Sequence, residues 1–163
     1  MKLASRFCLA LLMTASAAAF AAGTADSVQV VDPYVRLAPP GARATAAFMT
    51  LKNTGAADAK LVKAESAAAK SVELHSHIDV NGVMEMRQVP DIDIRAKGET
   101  ALKPGSFHIM MIDPAAMKEG DRIAITLRFA DGSSKQIEAP VMRPTSAPMP
   151  MPMPMNHTGH MPQ

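Results

Sequence analysis

Arg122-Ile123-Ala124-Ile125-Thr126-Leu127-Arg128-Phe129 alternates large apolar residues with smaller or polar ones without a break. In an extended chain successive side chains point to opposite faces, so Ile123, Ile125, Leu127 and Phe129 share one side. The stretch predicts a strand with one buried and one wet face, the kind from which antiparallel sheets are built. Segments of similar character occur at 28–31, 45–52, 60–64, 71–78, 83–88, 92–94, 108–112 and 135–141, separated by Gly, Pro, Asn and Asp. Many short strands at close spacing predict an all-β fold, a β-sandwich or barrel. Only residues 57–69 tempt a helical reading, and Gly55 and the valines nearby weigh against it.

Outside this region the chain changes character twice. Residues 1–22 begin with Lys2 and Arg6, continue through an apolar run from Phe7 to Ala19, and end in small residues. The run is too short to span a bilayer, so it predicts a cleaved export signal and no membrane span in the mature chain. Residues 23–26 read as a short linker opening a β-domain over 23–143. Residues 144–163 have no charged side chain and alternate Pro with Met, which forbids helix and central strand.

Export removes two of the 17 basic residues and none of the 15 acidic ones, leaving fifteen of each sign. No basic surface for nucleic acid is expected. Cys8, the one cysteine, falls within the signal, and Ser5-Arg6-Phe7 before it is unlike a lipid-attachment context. The mature chain therefore has no disulfide, thiol nucleophile or thiolate ligand. With no phosphate loop or HExxH pattern either, the chain reads as a binding protein and not an enzyme.

Methionine, by contrast, is abundant, with 14 in 163 residues. A methionine on a strand is ordinarily core filling and a histidine ordinarily a hydrogen-bonded structural residue. Here they form pairs at i, i+2: His75 with His77, Met84 with Met86, His108 with Met110. On strands each pair projects from one face, and a hairpin at 79–82 would bring the first two pairs together. Neutral thioethers and imidazoles, with no carboxylate placed regularly among them, suit Cu(I) better than zinc, magnesium or calcium. Met111 falls on the opposite face from Met110 and is expected in the core, as are Met49 and Met117. Asp91 and Asp93 read as the wet face of a strand.

The spacing His75, ten residues, Met86, twenty-one residues, His108, one residue, Met110 resembles the signature of the PCuAC family of copper chaperones. Tyr34-Val35-Arg36, Pro39-Pro40-Gly41, Ala46–Asn53, Val72–His75, Gly82–Arg87 and Leu102–Gly105 are similar to that family too. The resemblance covers roughly residues 28–142. It implies a cupredoxin-like Greek-key β-sandwich or barrel with Cu(I) ligands His75, Met86, His108 and Met110. It also implies a periplasmic location and copper delivery for assembly of the binuclear copper site of cytochrome c oxidase. The partners would be the copper-receiving subunit of the oxidase, a Sco-type thiol protein, or both.

His77 and Met84 lie outside this signature and stand as alternative ligands or surface residues. The tail adds Met149, Met151, Met153, Met155, His157, His160 and Met161 as an auxiliary copper site, with the imidazoles able to take Cu(II). Its proline alternation would space successive sulfurs by about 6 Å in a polyproline helix. A copper-scavenging role in tolerance, without a dedicated acceptor, is the competing function. A blue-copper electron carrier is excluded by the missing thiolate.

Overall fold

The computed structural model describes residues 23–143, and these residues are almost entirely strand. A single helical turn, α1 (Thr24–Ser27), precedes β1 (Val28–Arg36), β2 (Ala44–Asn53), β3 (Ala59–Glu65), β4 (Ala69–Val80) and β5 (Val83–Gln88). Then come β6 (Ile92–Ile94), β7 (Glu99–Leu102), β8 (His108–Pro114), β9 (Arg122–Phe129) and β10 (Ser134–Met142). Neighbouring strands run in the order β5-β4-β8-β2-β1-β10-β9-β3-β6, with β7 attached to β2. The fold is all-β, with all pairings antiparallel except that of β1 with β10.

Alternation does what it predicts. On β9 Ile123, Ile125, Leu127 and Phe129 are buried, and they join Val28, Val35, Leu51, Leu61, Ile92, Ile94, Ile109, Met111 and Val141 in one core. Met49 and Met111 are core residues and Met117 packs against the core. Burying a side chain of this size is worth about 1.5–3 kcal/mol, so the two-faced strands supply most of the drive to fold. Asp91 and Asp93 flank the buried Ile92, and Lys60 bridges both carboxylates at 3.0 Å on the wet side.

Residues 57–69 hold β3, a turn and the start of β4, so the strand expected at 60–64 is present and the helical alternative is not. A register shift between Leu61 and Lys63 puts Ala59, Leu61 and Ala64 on the inside. Elsewhere two strands differ from the sequence reading. β1 runs on to Arg36 because a second shift between Val31 and Tyr34, with Asp32 at φ 48°, carries the strand past Pro33. β7 was not expected: its four residues bury only Leu102, too short a signal for periodicity to register.

Residues 23–26, read as a linker, belong to the folded unit. The Thr24 amide donates to Asp131 Oδ2 at 2.7 Å and the Ala25 amide to Ser133 Oγ at 3.0 Å. Asp131 also accepts from the Ser133 hydroxyl, and this bond, followed by the Thr24 amide, holds its carboxyl well below the usual range. A depressed folded-state value stabilises the fold above the unfolded carboxyl range near pH 4, a gain lost as pH falls through the lower folded value. Asp131→Asn should therefore lower Tm by a few degrees at pH 7, the carboxylate being exposed. Thermal melts from pH 7 to pH 2 should show the difference shrinking below pH 4. A constant difference would refute the account.

Candidate metal centre

The strands that carry the three donor pairs are neighbours. β4 and β5 form a hairpin through Asn81 and Gly82, both at positive φ (55° and 83°), as a two-residue turn of this kind requires. That turn fixes the register: His77 lies opposite Met86, His75 opposite Gln88, and Asp79 opposite Met84. On its other side β4 pairs with β8, placing His75 directly opposite His108 and Glu73 opposite Met110. β8 continues to β2, where Ala46 faces Met110.

Period-two alternation then separates the donors from the core. Leu74, Ile109 and Met111 point inward and are buried. His75, His77, Met86, His108 and Met110 occupy the other face. The His108 ring centroid is 5.8 Å from that of His75, 5.2 Å from that of His77, and 6.3 Å from that of Phe48. His77, Met86, His108 and Met110 line a cleft of about 540 Å³, whose remaining walls include Leu37, Pro39, Phe48 and Pro104. His75 borders it through its contact with His108. Met86 is 46% exposed, whereas His108 is 3% exposed.

Hydrogen bonds hold all three imidazoles, the longest being that of His77 Nδ1 with the Ser106 carbonyl at 3.4 Å. The Ser106 carbonyl lies 3.0 Å from His108 Nδ1, and a carbonyl can only accept, so Nδ1 carries the proton and Nε2 keeps its lone pair. His75 Nε2 lies 2.8 Å from Glu73 Oε2. The two atoms left over, His75 Nδ1 and His108 Nε2, are the only buried side-chain polar atoms among the described residues without a hydrogen-bond partner. Such an orphan costs about 1–3 kcal/mol, so two on adjacent rings call for a partner such as a metal ion. Burial, the largest influence, lowers the pKa of His108, with the Ser106 carbonyl opposing and the neighbouring histidines assisting. A ring kept neutral at neutral pH is the form that ligates metal.

Among the described residues no three His, Cys, Asp or Glu side chains form a group able to hold a metal ion. The further donors that line the cleft beside the histidines are the thioethers of Met86 and Met110. The structure thus brings Met86, His108 and Met110 to one cleft, and His75 reaches it only through its ring contact and strand pairing with His108. It adds His77 to the cleft wall and leaves Met84 outside, 56% exposed near the hairpin tip. Sequence reasoning overlooked Glu73, which lies two residues before His75 on β4 and so shares its face, and Ser106, which acts through a backbone carbonyl in the loop before β8 and leaves no side-chain signal. The tail donors Met149, Met151, Met153, Met155, His157, His160 and Met161, and the export signal at 1–22, lie outside the described residues.

This fold is that of the PCuAC domains. The copper-bound PCuAC domain of PmoF2 superposes with a TM-score of 0.61 at 21% identity, over 77% of this chain and 97% of that domain. Apo-DR1885 from Deinococcus radiodurans is 32% identical over 88% of this chain and 97% of its own, with a TM-score of 0.58. The same protein in its Cu(I) form matches with a TM-score of 0.60 over 74% of this chain. The chain belongs to the LpqE-like family, described as “Putative lipoprotein LpqE-like”, whose model matches residues 28–141. A relative from Leifsonia xyli, “Putative lipoprotein Lxx21020”, is 40% identical over 119 residues, covering 72% of this chain and 70% of its own length.

Proposed function

We propose that this protein is a periplasmic copper chaperone that holds Cu(I) through His75, Met86, His108 and Met110. It delivers the ion for assembly of the binuclear copper site of cytochrome c oxidase, to the copper-receiving subunit or to a Sco-type thiol protein. The observation that carries the reading is the pair of buried, unpartnered imidazole nitrogens on adjacent strands beside two thioethers. Their donor chemistry is soft and neutral, suited to a monovalent ion, and the Cu(I) form of DR1885 supports the assignment by relation. Copper is here the cargo. Met86, half exposed at the cleft, is the ligand an incoming acceptor reaches first, so ligand exchange can begin there without unfolding the site.

The family's description as lipoproteins supports an exported or envelope-associated protein. No helix among the described residues is long and apolar enough to cross a membrane. We assign export to the segment 1–22, and keep Cys8 as part of a cleaved signal because of Ser5-Arg6-Phe7 before it.

A second reading, copper scavenging for tolerance, is favoured by the seven donors that follow β10. The Met142 carbonyl accepts from the Leu37 amide at 2.7 Å, and Leu37 lines the cleft, so the last described residues lie close to it. Anaerobic Cu(I) competition titrations on the chain with and without residues 144–163 separate the two. One tightly bound Cu(I) is expected to survive truncation, and loss of all binding with the tail would leave a tail-based scavenger. Deletion of the gene should impair oxidase copper loading. Copper sensitivity with a normally loaded oxidase would favour scavenging.

A further inference from the structure

We propose that Glu73 is a positioning residue that dictates which nitrogen of His75 meets the metal, making Nδ1 the ligand atom. The inference rests on the copper-site reading above and goes beyond it to the atoms.

Glu73 and His75 are i, i+2 on β4 and therefore project from one face, and Glu73 Oε2 reaches His75 Nε2 at 2.8 Å. The pair is largely withdrawn from water, with side-chain exposures of 28% and 14%. An ionised carboxylate can only accept, so it selects the ring form with the proton on Nε2. Nδ1 is then the lone-pair nitrogen, and it is the buried atom with no partner. On His108 the arrangement is reversed: the Ser106 carbonyl holds the proton on Nδ1 and Nε2 is the orphan. Two directly paired histidines are thus locked in opposite tautomers by different acceptors, and each is left with a bare nitrogen. A purely structural ion pair would have no reason to leave Nδ1 buried and unsatisfied.

The same carboxylate supplies what the four neutral ligands lack. Glu73 sits directly opposite Met110 in the β4–β8 ladder, so a negative charge lies behind the first histidine and across from a thioether. Outer groups of this kind orient imidazole ligands, raise their basicity, and typically change metal affinity by about 10–100-fold when removed.

The test is long-range ¹H–¹⁵N correlation spectroscopy of the histidines in the full mature chain, before and after anaerobic addition of Cu(I). The variants are Glu73→Gln and Glu73→Ala. The wild-type apo protein should show His75 protonated on Nε2, with the Cu(I)-dependent shift on Nδ1. Glu73→Gln keeps an oxygen acceptor and should retain Nδ1 ligation. Glu73→Ala should lose the fixed tautomer, and its His75 should saturate only at about 10–100-fold higher free Cu(I). Glu73→Ala with an unchanged tautomer and unchanged saturation overturns the role of Glu73. So does wild-type ligation through His75 Nε2 while His108 Nε2 responds. If Cu(I) shifts neither His75 nor His108, the copper site itself is wrong and the proposal falls with it.

Discussion

Replacing His108 by alanine in residues 23–143 should lower Cu(I) affinity by more than about 100-fold, beyond the loss typical of an outer-shell change. The apo domain should remain nearly as stable as before. The two halves of this expectation have different origins. Copper loses a nitrogen that burial and the Ser106 carbonyl have prepared, burial favouring the neutral ring and the carbonyl leaving Nε2 unsatisfied. The apo fold loses some ring contact with Phe48, but it also sheds a buried unpaired acceptor. Cavity formation costs stability and removal of the orphan restores about 1–3 kcal/mol, so the net change should fall within about 1 kcal/mol. Competition titration with a Cu(I) chelator and thermal melting of the metal-free protein check the two halves. Unchanged copper affinity would remove His108 from the site. A large fall in apo Tm would make its imidazole a structural residue.

Much of this site was legible because strand geometry turns spacing into direction. His75 with His77, Met84 with Met86, and His108 with Met110 could be placed on one face from the period of two alone. Asn81-Gly82 set the register that sorts them further, bringing Met86 to His77 and leaving Met84 near the hairpin tip. The order β5-β4-β8 was not readable, since no local signal says that β4, which ends at Val80, and β8, which begins at His108, will be neighbours. Without that pairing His75 and His108 are only two histidines. The walls of the cleft were hidden for a related reason. Leu37 and Pro39 come from the β1–β2 connection and Pro104 from the β7–β8 connection, and loop positions depend on the strands they join. β7 and the turn at Thr24–Ser27 escaped because neither buries enough apolar surface to leave a pattern. Charge neutrality of the donor set was also overdrawn: Glu73 stands behind His75, a carboxylate that a search for ligands passes over because it binds the ligand and not the ion.

Ile109→Ala should do the opposite of His108→Ala, although the two residues are adjacent. Ile109 is fully buried, lies opposite Leu74 on β4 and Ala47 on β2, and belongs to the core shared by both sides of the fold. Truncating a buried isoleucine removes transfer energy and leaves a cavity, a cost of about 2–5 kcal/mol. A central value of about 3 kcal/mol would lower Tm by roughly 10 °C in a domain of this size. The donors should survive, because β8 is held on both sides by ladders to β4 and β2, and these fix where His108 and Met110 point. Below the lowered Tm, Cu(I) affinity should therefore stay within about threefold of wild type, as expected when two sites share a strand but face opposite ways. Melting curves and competition titrations on the same preparation decide the matter. A fall in copper affinity matching the fall in stability would mean that core and site are one cooperative unit. Independence would mean that the alternation which builds the sheet also insulates it, letting the outer face keep unsatisfied donors that the core could not tolerate.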